Sequence, residues 1–275
     1  MLYLTTLTGC GIDRNNFVGD IIVSGYTDKS DDGIIKYNPA TGEFENLVPG
    51  VYYDVQYNAD KSKILCERHV KNEAKWDSEI CEYDIKSKEF SEAIEDSEKD
   101  SGEFRFRIRY VPNSDDISYV LGDAVHICDR SSGTLSKLVE VGFYWYSWDK
   151  SGKKLLYGDY DEKIYIYDVE NSEKKQILEG RYPIYSNNNE YIAYQGKDNK
   201  LTVYNINTKE EWKSISVGSN QSFIFSPDDR YILLATEYKD IVNAEHYKMY
   251  IVDYKTGKKM KLFNGDGGKP GFDWR

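Results

Sequence analysis

Two short patterns alternate along this 275-residue chain, and their regular return leaves few folds open. In the first, an aromatic residue precedes a polar turn and then a short apolar run. It occurs as Tyr57 before NADKSK and ILC, Tyr110 before VPNSDD and ISYV, and Trp148 before DKSGKK and LLY. It returns as Tyr185 before SNNNE and YIAY, and as Phe225 before SPDDR and YILL. These aromatics are spaced 53, 38, 37 and 40 residues apart, and Trp274 follows 49 residues after Phe225. In the second pattern, an alternating strand leads into Asp or Asn, a turn and another strand. Its six copies are IIKYNPATGEF, EICEYDIKSKEF, VHICDRSSGTL, IYIYDVENSEKK, LTVYNINTKEE and MYIVDYKTGKK, centred on Asn38, Asp84, Asp129, Asp168, Asn205 and Asp253. Strict alternation marks half-buried strands, and Asx and Gly residues suit tight turns.

Each unit therefore reads as four antiparallel strands, A to D. The first pattern spans A, its turn and B. The second spans C, its turn and D. Units of about 40 residues built from four strands are propeller blades. Five units are complete in linear order. The N-terminal segment supplies B (DIIVSGY), C (GIIKYN) and D (GEFENLV) without an A strand, and GFDWR at 271–275 is an A strand with nothing after it. Ring closure reconciles the two. The expected fold is all-β: a six-bladed β-propeller of four-stranded antiparallel blades over residues 17–275. The C-terminal A strand joins the N-terminal B–D strands and removes the exposed edges.

FSPDDR at 225–230 and SWDKSGKKLLY at 147–157 resemble the TolB-like and WD-like repeats of bacterial six-bladed propellers. In those repeats an aromatic-Ser-Pro-Asp-Gly turn precedes the second strand. The resemblance spans about residues 17 to 275. It implies the fold but leaves function broad, because such propellers host binding, scaffolding and catalysis. The chain carries no G-x-S-x-G nucleophile elbow.

Residues 1–16 read as a leader or lipoprotein signal remnant. Leu7-Thr8-Gly9-Cys10 resembles a bacterial lipobox, which implies lipidation at Cys10 and an extracytoplasmic, membrane-anchored protein. The apolar stretch before it is short and lacks a basic start, so an ordinary strand over LYLTTLT is the other reading. No stretch approaches the roughly 18 apolar residues of a membrane span, so membrane contact would run through Cys10 alone. Of the four cysteines, Cys66 and Cys81 would face each other in a hairpin symmetric about residues 73 and 74. A disulfide is conceivable there, and a pair of small buried side chains is the alternative.

The net charge is −11, with 47 acidic against 36 basic side chains. A duplex-binding protein needs a basic footprint, so nucleic acid is not an expected partner. Hydrophobic residues at 40% and charged residues at 30% fit a globular chain. The 25 tyrosines favour strands.

Short A–B and C–D turns fall on one face. The other carries B–C loops at Thr27–Gly33, His69–Ser78 and Glu237–Lys248, on three blades that are contiguous in a ring. This raised rim is the expected partner face, with Trp76, Asp77, His69, Tyr238 and His246 as contact residues. Arg107, Tyr144 and Tyr182, at the upper ends of A strands, are a second candidate set. They would stack and hydrogen-bond a sugar or peptide at the channel mouth, or pack between blades. DKSDDG at 28–33 starts like a calcium loop, but Pro39 stands where the twelfth-position carboxylate belongs. The acidic run 91–103 reads as a solvated loop. His69, His126 and His246 fall on blades two, three and six, too dispersed for one metal centre. No cofactor or metal is expected.

The function expected on these grounds is non-catalytic: a monomer binding a protein, peptide or glycan at the loop-rich face, or scaffolding it. The alternatives are a cell-envelope hydrolase or lyase acting at the channel mouth, and a cytoplasmic interaction domain without an anchor.

Overall fold

The six Asx residues of the second pattern act as turn caps. The side-chain oxygen of Asn38 accepts the backbone N–H groups of Ala40 and Thr41 at 2.9 and 3.0 Å. Asp84, Asp129, Asn205 and Asp253 hold the next turns in the same way. Asp168 receives the N–H of Asn171. Four residues after each Asx, the backbone enters the left-handed region, at Gly42, Lys88, Gly133, Ser172, Lys209 and Gly257. Glycine is free to do so, whereas an L-residue there costs about 1–2 kcal/mol. The A–B turns also take positive φ, at Lys61, Asn113, Gly152, Asn189 and Asp229. Asp229 thus occupies the left-handed position that glycine fills in the resembling repeats.

The computed structural model describes residues 11–28, 32–71, 76–94, 105–143, 145–216, 221–240, 243–267 and 270–275. Their strands form six antiparallel sheets arranged as a propeller. Blade 1 combines strand A at Phe272–Trp274 with B at Ile21–Ser24, C at Gly33–Tyr37 and D at Phe44–Pro49. The strands of blades 2 to 6 follow in chain order. Their A strands are Tyr52–Tyr57, Arg105–Tyr110, Tyr146–Trp148, Arg181–Tyr185 and Gln221–Phe225. The C-terminal strand closes the ring as expected, and its register sets Ile21 opposite Trp274, Ile22 opposite Asp273 and Val23 opposite Phe272.

The core lies between blades. Six buried clusters fill the six inter-blade spaces, and each takes in one anchor aromatic: Tyr57, Tyr110, Trp148, Tyr185, Phe225 or Trp274. Because each sheet is covered on both faces, inner strands read as continuous apolar runs. In blade 1, Ile21 and Val23 face blade 6, while Ile22 faces blade 2. Each such side chain contributes about 1.5–3 kcal/mol by leaving water.

Three expectations about loops change. The segment after strand B of blade 1 is not wholly a loop. Tyr26 pairs with Asp266 and Thr27 with Gly265, adding a fifth strand to the outer edge of blade 6. That satisfies edge groups that would otherwise stay unpaired. In blade 2 the strands Lys63–Lys71 and Trp76–Asp84 continue through His69 and from Trp76, so His69 pairs with Ser78 and Val70 with Asp77. In blade 6 the strands Ile232–Lys239 and Glu245–Val252 extend into the expected loop from both sides. Two rim loops are therefore tall β-ribbons, because backbone pairing outlasts the apolar pattern that marks a strand in sequence.

Cys66 and Cys81 are register partners, and their Sγ atoms lie 3.5 Å apart as buried free thiols. The bond to Cys81 and burial push the Cys66 thiol well above its ordinary value. Residues 12–16 pack on the ring, where Arg14 donates to the Tyr37 hydroxyl and the Pro39 carbonyl at 3.1 and 3.0 Å. The lipobox-like segment with Cys10 and most of the acidic run lie outside the described residues. Among the described residues, no helix is long and apolar enough to cross a membrane.

Candidate ligand site at the channel

The residue before each anchor aromatic faces the ring axis. This set is Asp273, Gln56, Arg109, Ser147, Ile184 and Ile224, and all six line a central cavity of about 310 Å³. Three of them latch the ring by accepting the backbone N–H of the next blade's anchor. Asp273 receives Tyr57 at 3.0 Å, Gln56 receives Tyr110 at 2.9 Å and Ser147 receives Tyr185 at 3.2 Å. Ile184 and Ile224 carry no acceptor. Arg109 is a cation and cannot play this role. It pairs instead with Asp54 at 2.6 Å, and Asp54 also receives the Ile108 N–H at 2.5 Å. Burial works against the Arg109 charge, and Asp54 outweighs it, holding Arg109 above its ordinary value.

Backbone strain gathers at the same level. Three residues before the anchor, in blades 2, 3 and 5, the chain takes positive φ at Asp54, Arg107 and Tyr182, at 50°, 56° and 55°. The A–B pairing shifts register across these points. Such bulges re-aim side chains and cost of order 1–3 kcal/mol each, so the surrounding packing must hold them.

Arg107 shows the result. Its guanidinium lies 3.4 Å from the Trp145 ring centroid, and its Nε donates to the Tyr146 carbonyl at 3.0 Å. The Tyr146 hydroxyl returns the contact by donating to the Arg107 carbonyl at 2.8 Å. Arg107 lines the cavity. Burial, and then repulsion from Arg109, push it well below its ordinary value. Trp145 packs edge-on against Tyr182, and Tyr182 against Phe143. Phe143 carries the Arg181 guanidinium at 4.9 Å, and Arg181 is ion-paired with Glu162. Tyr160 completes this aromatic belt against Phe143 and is 58% exposed.

The candidates from sequence divide accordingly. Arg107 faces the channel. Tyr182 is 8% exposed and packs in the core between blades 5 and 6, so of its two readings the packing one describes it. Tyr144 lies outside the described residues, as do the side chains of Trp76, Asp77 and His69. Tyr238 and His246 meet across the blade 6 ribbon with rings stacked at 5.2 Å. Neither lines the central cavity. His246 is clasped by Asp266 at 2.6 Å and Asp240 at 3.1 Å, which raise its pKa. Sequence reasoning missed Trp145, Phe143 and the Arg109–Asp54 pair. The WYSW run hints at the first, since it places two tryptophans around one A strand. Asp54 and Arg109 lie on different blades, and nothing local links them.

Among the described residues, no group of three or more His, Cys, Asp or Glu side chains is placed to hold a metal ion. The His126 Nδ1 lies 3.1 Å from the Ala124 carbonyl, and both nitrogens of His246 are engaged by carboxylates.

A family model described as eukaryotic translation initiation factor eIF2A matches residues 111–261, which run from the end of the first blade 3 strand into the last strand of blade 6. No curated protein matches the sequence. Among solved structures, an oligogalacturonate lyase in complex with manganese is similar at 15% identity with a TM-score of 0.51. That alignment covers 90% of this chain and 74% of the lyase. At this identity the likeness concerns the fold.

Proposed function

This chain belongs to the eukaryotic translation initiation factor eIF2A family, and from that premise we propose that it is a non-catalytic propeller. It binds or scaffolds a protein partner on the face that carries the B–C and D–A connections. One observation carries this reading. Among the described residues, four large apolar side chains are exposed, and three of them, Val51, Tyr53 and Tyr160, lie on that face. Val51 sits in the D–A connection from blade 1 to blade 2, Tyr53 near the start of the blade 2 A strand, and Tyr160 in the blade 4 B–C turn. The opposite face is closed by turns whose Asx side chains bond their own backbone. Exposed apolar groups on one side of a channel, rimmed by charge, suit a protein or peptide.

The family's name refers to translation initiation, and the net charge of −11 bears on how this chain would take part. With that charge, contact runs through protein rather than RNA. A photo-crosslinking side chain at Tyr53 or Tyr160, with Ser172 on the opposite face as control, tests the reading. A discrete protein adduct from the first two positions and none from the third supports it. Equal crosslinking from both faces, or adducts with glycan alone, overturns it.

Location rests on a separate proposal, lipidation at Cys10. Fatty-acid labelling that is lost in Cys10→Ser supports the extracytoplasmic anchor. Absence of label leaves the cytoplasmic interaction domain, the setting that the family name favours.

A further inference from the structure

We infer that the channel is a binding site for a small organic monocarboxylate, seated on the free edge of the Arg107 guanidinium beside Trp145. This goes beyond the partner face, because the site lies inside the ring. Arg107 has one bond from Nε and one ring face covered by indole. Among the described residues, its two terminal nitrogens meet no acceptor, and no carboxylate stands within ion-pair distance of it. A buried charge is ordinarily paired, because an uncompensated one is costly to hold out of water. Arg109 and Arg275 have carboxylate partners, at 2.6 Å from Asp54 and 3.2 Å from Asp273. Arg107 is therefore the guanidinium in the channel that is left to an outside anion. The Trp145 Nε1, on the ring that covers the guanidinium, is also buried with no partner.

Charge and size narrow the ligand class. The lining cations are Arg107, Arg109, Lys150 and Arg275, and the lining anions are Asp149 and Asp273. Arg109 and Arg275 have their carboxylates in Asp54 and Asp273, so the open edge of the Arg107 guanidinium presents a single positive charge. One carboxylate neutralises it, whereas a phosphate dianion overshoots. A planar carboxylate also matches the guanidinium edge through two parallel bonds. The cavity volume of about 310 Å³ sits at the small end of ligand pockets. Backbone strain at Arg107 fits a residue held in place for binding.

The test titrates acetate, propionate and benzoate into the whole protein, with propionamide and inorganic phosphate as contrasts, while following indole N–H resonances. Saturable shifts of Trp145, with Trp212 unmoved, are expected for at least one carboxylate. Propionamide should give none, and phosphate should bind more weakly. Arg107→Gln should weaken carboxylate binding by about tenfold or more. Trp145→Phe keeps an aromatic platform and should weaken it less. No saturable shift with any of the three acids overturns the proposal, as does equal binding of propionamide. Phosphate binding as tight as the best carboxylate overturns the charge argument. The titration of the wild-type protein decides even if Arg107→Gln does not fold. Failure of the partner-face crosslinks leaves this result untouched.

Discussion

The Trp274 indole Nε1 donates to the Val18 carbonyl at 2.8 Å, joining residues 256 positions apart in the chain. Around that bond Trp274 is 1% exposed, and Phe17 packs edge-on against it at 6.2 Å. The Asp20 N–H donates to the Arg275 carbonyl at 2.8 Å, and the Arg275 N–H returns a bond to Asp20 at 3.1 Å. Gly19 is required beside this clasp. A Cβ there would stand 2.1 Å from the Arg275 carbonyl oxygen.

Trp274→Ala should therefore open the closure and cost about 3–5 kcal/mol. Trp274→Phe keeps much of the burial but loses the bond to Val18, costing about 1–2 kcal/mol. Urea unfolding at neutral pH measures both. Equal losses would mean that the bond, not the packing, holds the ring shut.

The left-handed turn positions give a cleaner energetic test. A Cβ on Gly257 would meet nothing within 4 Å, so Gly257→Ala pays only for its φ of 72°. It should destabilise by about 1 kcal/mol. Ser172, at φ 56° in the equivalent turn of blade 4, should behave in the opposite sense. Ser172→Gly relieves strain at some cost in unfolded-chain entropy, for a net gain of about 0.5 kcal/mol. Thermal midpoints of the pair should move in opposite directions.

Glu82 bridges blades 2 and 3. It is 4% exposed and accepts from Tyr110 at 2.9 Å, Arg130 at 3.0 Å and Lys63 at 3.1 Å. Burial would raise its pKa, but the bonds from Arg130, Tyr110 and Lys63 together outweigh that and hold it below the ordinary 4.5. A carboxyl depressed by folding stabilises fully above its unfolded value, and the contribution fades as pH falls through the lower folded value. Glu82→Gln should thus cost about 2–3 kcal/mol at pH 7. Its deficit relative to wild type should narrow below pH 4.5. A deficit that stays constant in acid would assign the loss to shape rather than charge.

The His246 clasp titrates with the other sign. Bonds to Asp240 and then Asp266 raise its pKa above 6.5. Its stabilisation is complete below that value and lost as pH rises through the folded one. Imidazole NMR resonances should report a midpoint above 6.5, moving down in Asp240→Asn and Asp266→Asn. A midpoint unmoved by both variants would break the assignment. Lys248, over the Tyr238 ring at 4.2 Å, is the neighbouring cation that opposes this charge.

The blade plan was legible because its cause is local. Asx at the start of a turn, a left-handed residue four positions later and an anchor aromatic before the next turn each act within a few residues. The candidate site was legible in part. Arg107 stood out as a cation at the upper end of an A strand. Its stacking on Trp145 depends on how blades 3 and 4 meet. The rim loops were misjudged because backbone pairing, which extends the ribbons, leaves no trace in apolar alternation.

The sequence by itself determined six blades, their strand order and the closure by Trp274, since repeated local turns and two-sided burial admit one ring. Tertiary structure alone decided which channel charges found partners. Asp54 and Arg109 are 55 residues apart, and Arg107 was left without a carboxylate by the positions of its neighbours across the ring. Charge pairing in a channel is a property of convergence, because strands far apart in the sequence bring their charged residues together at the ring axis.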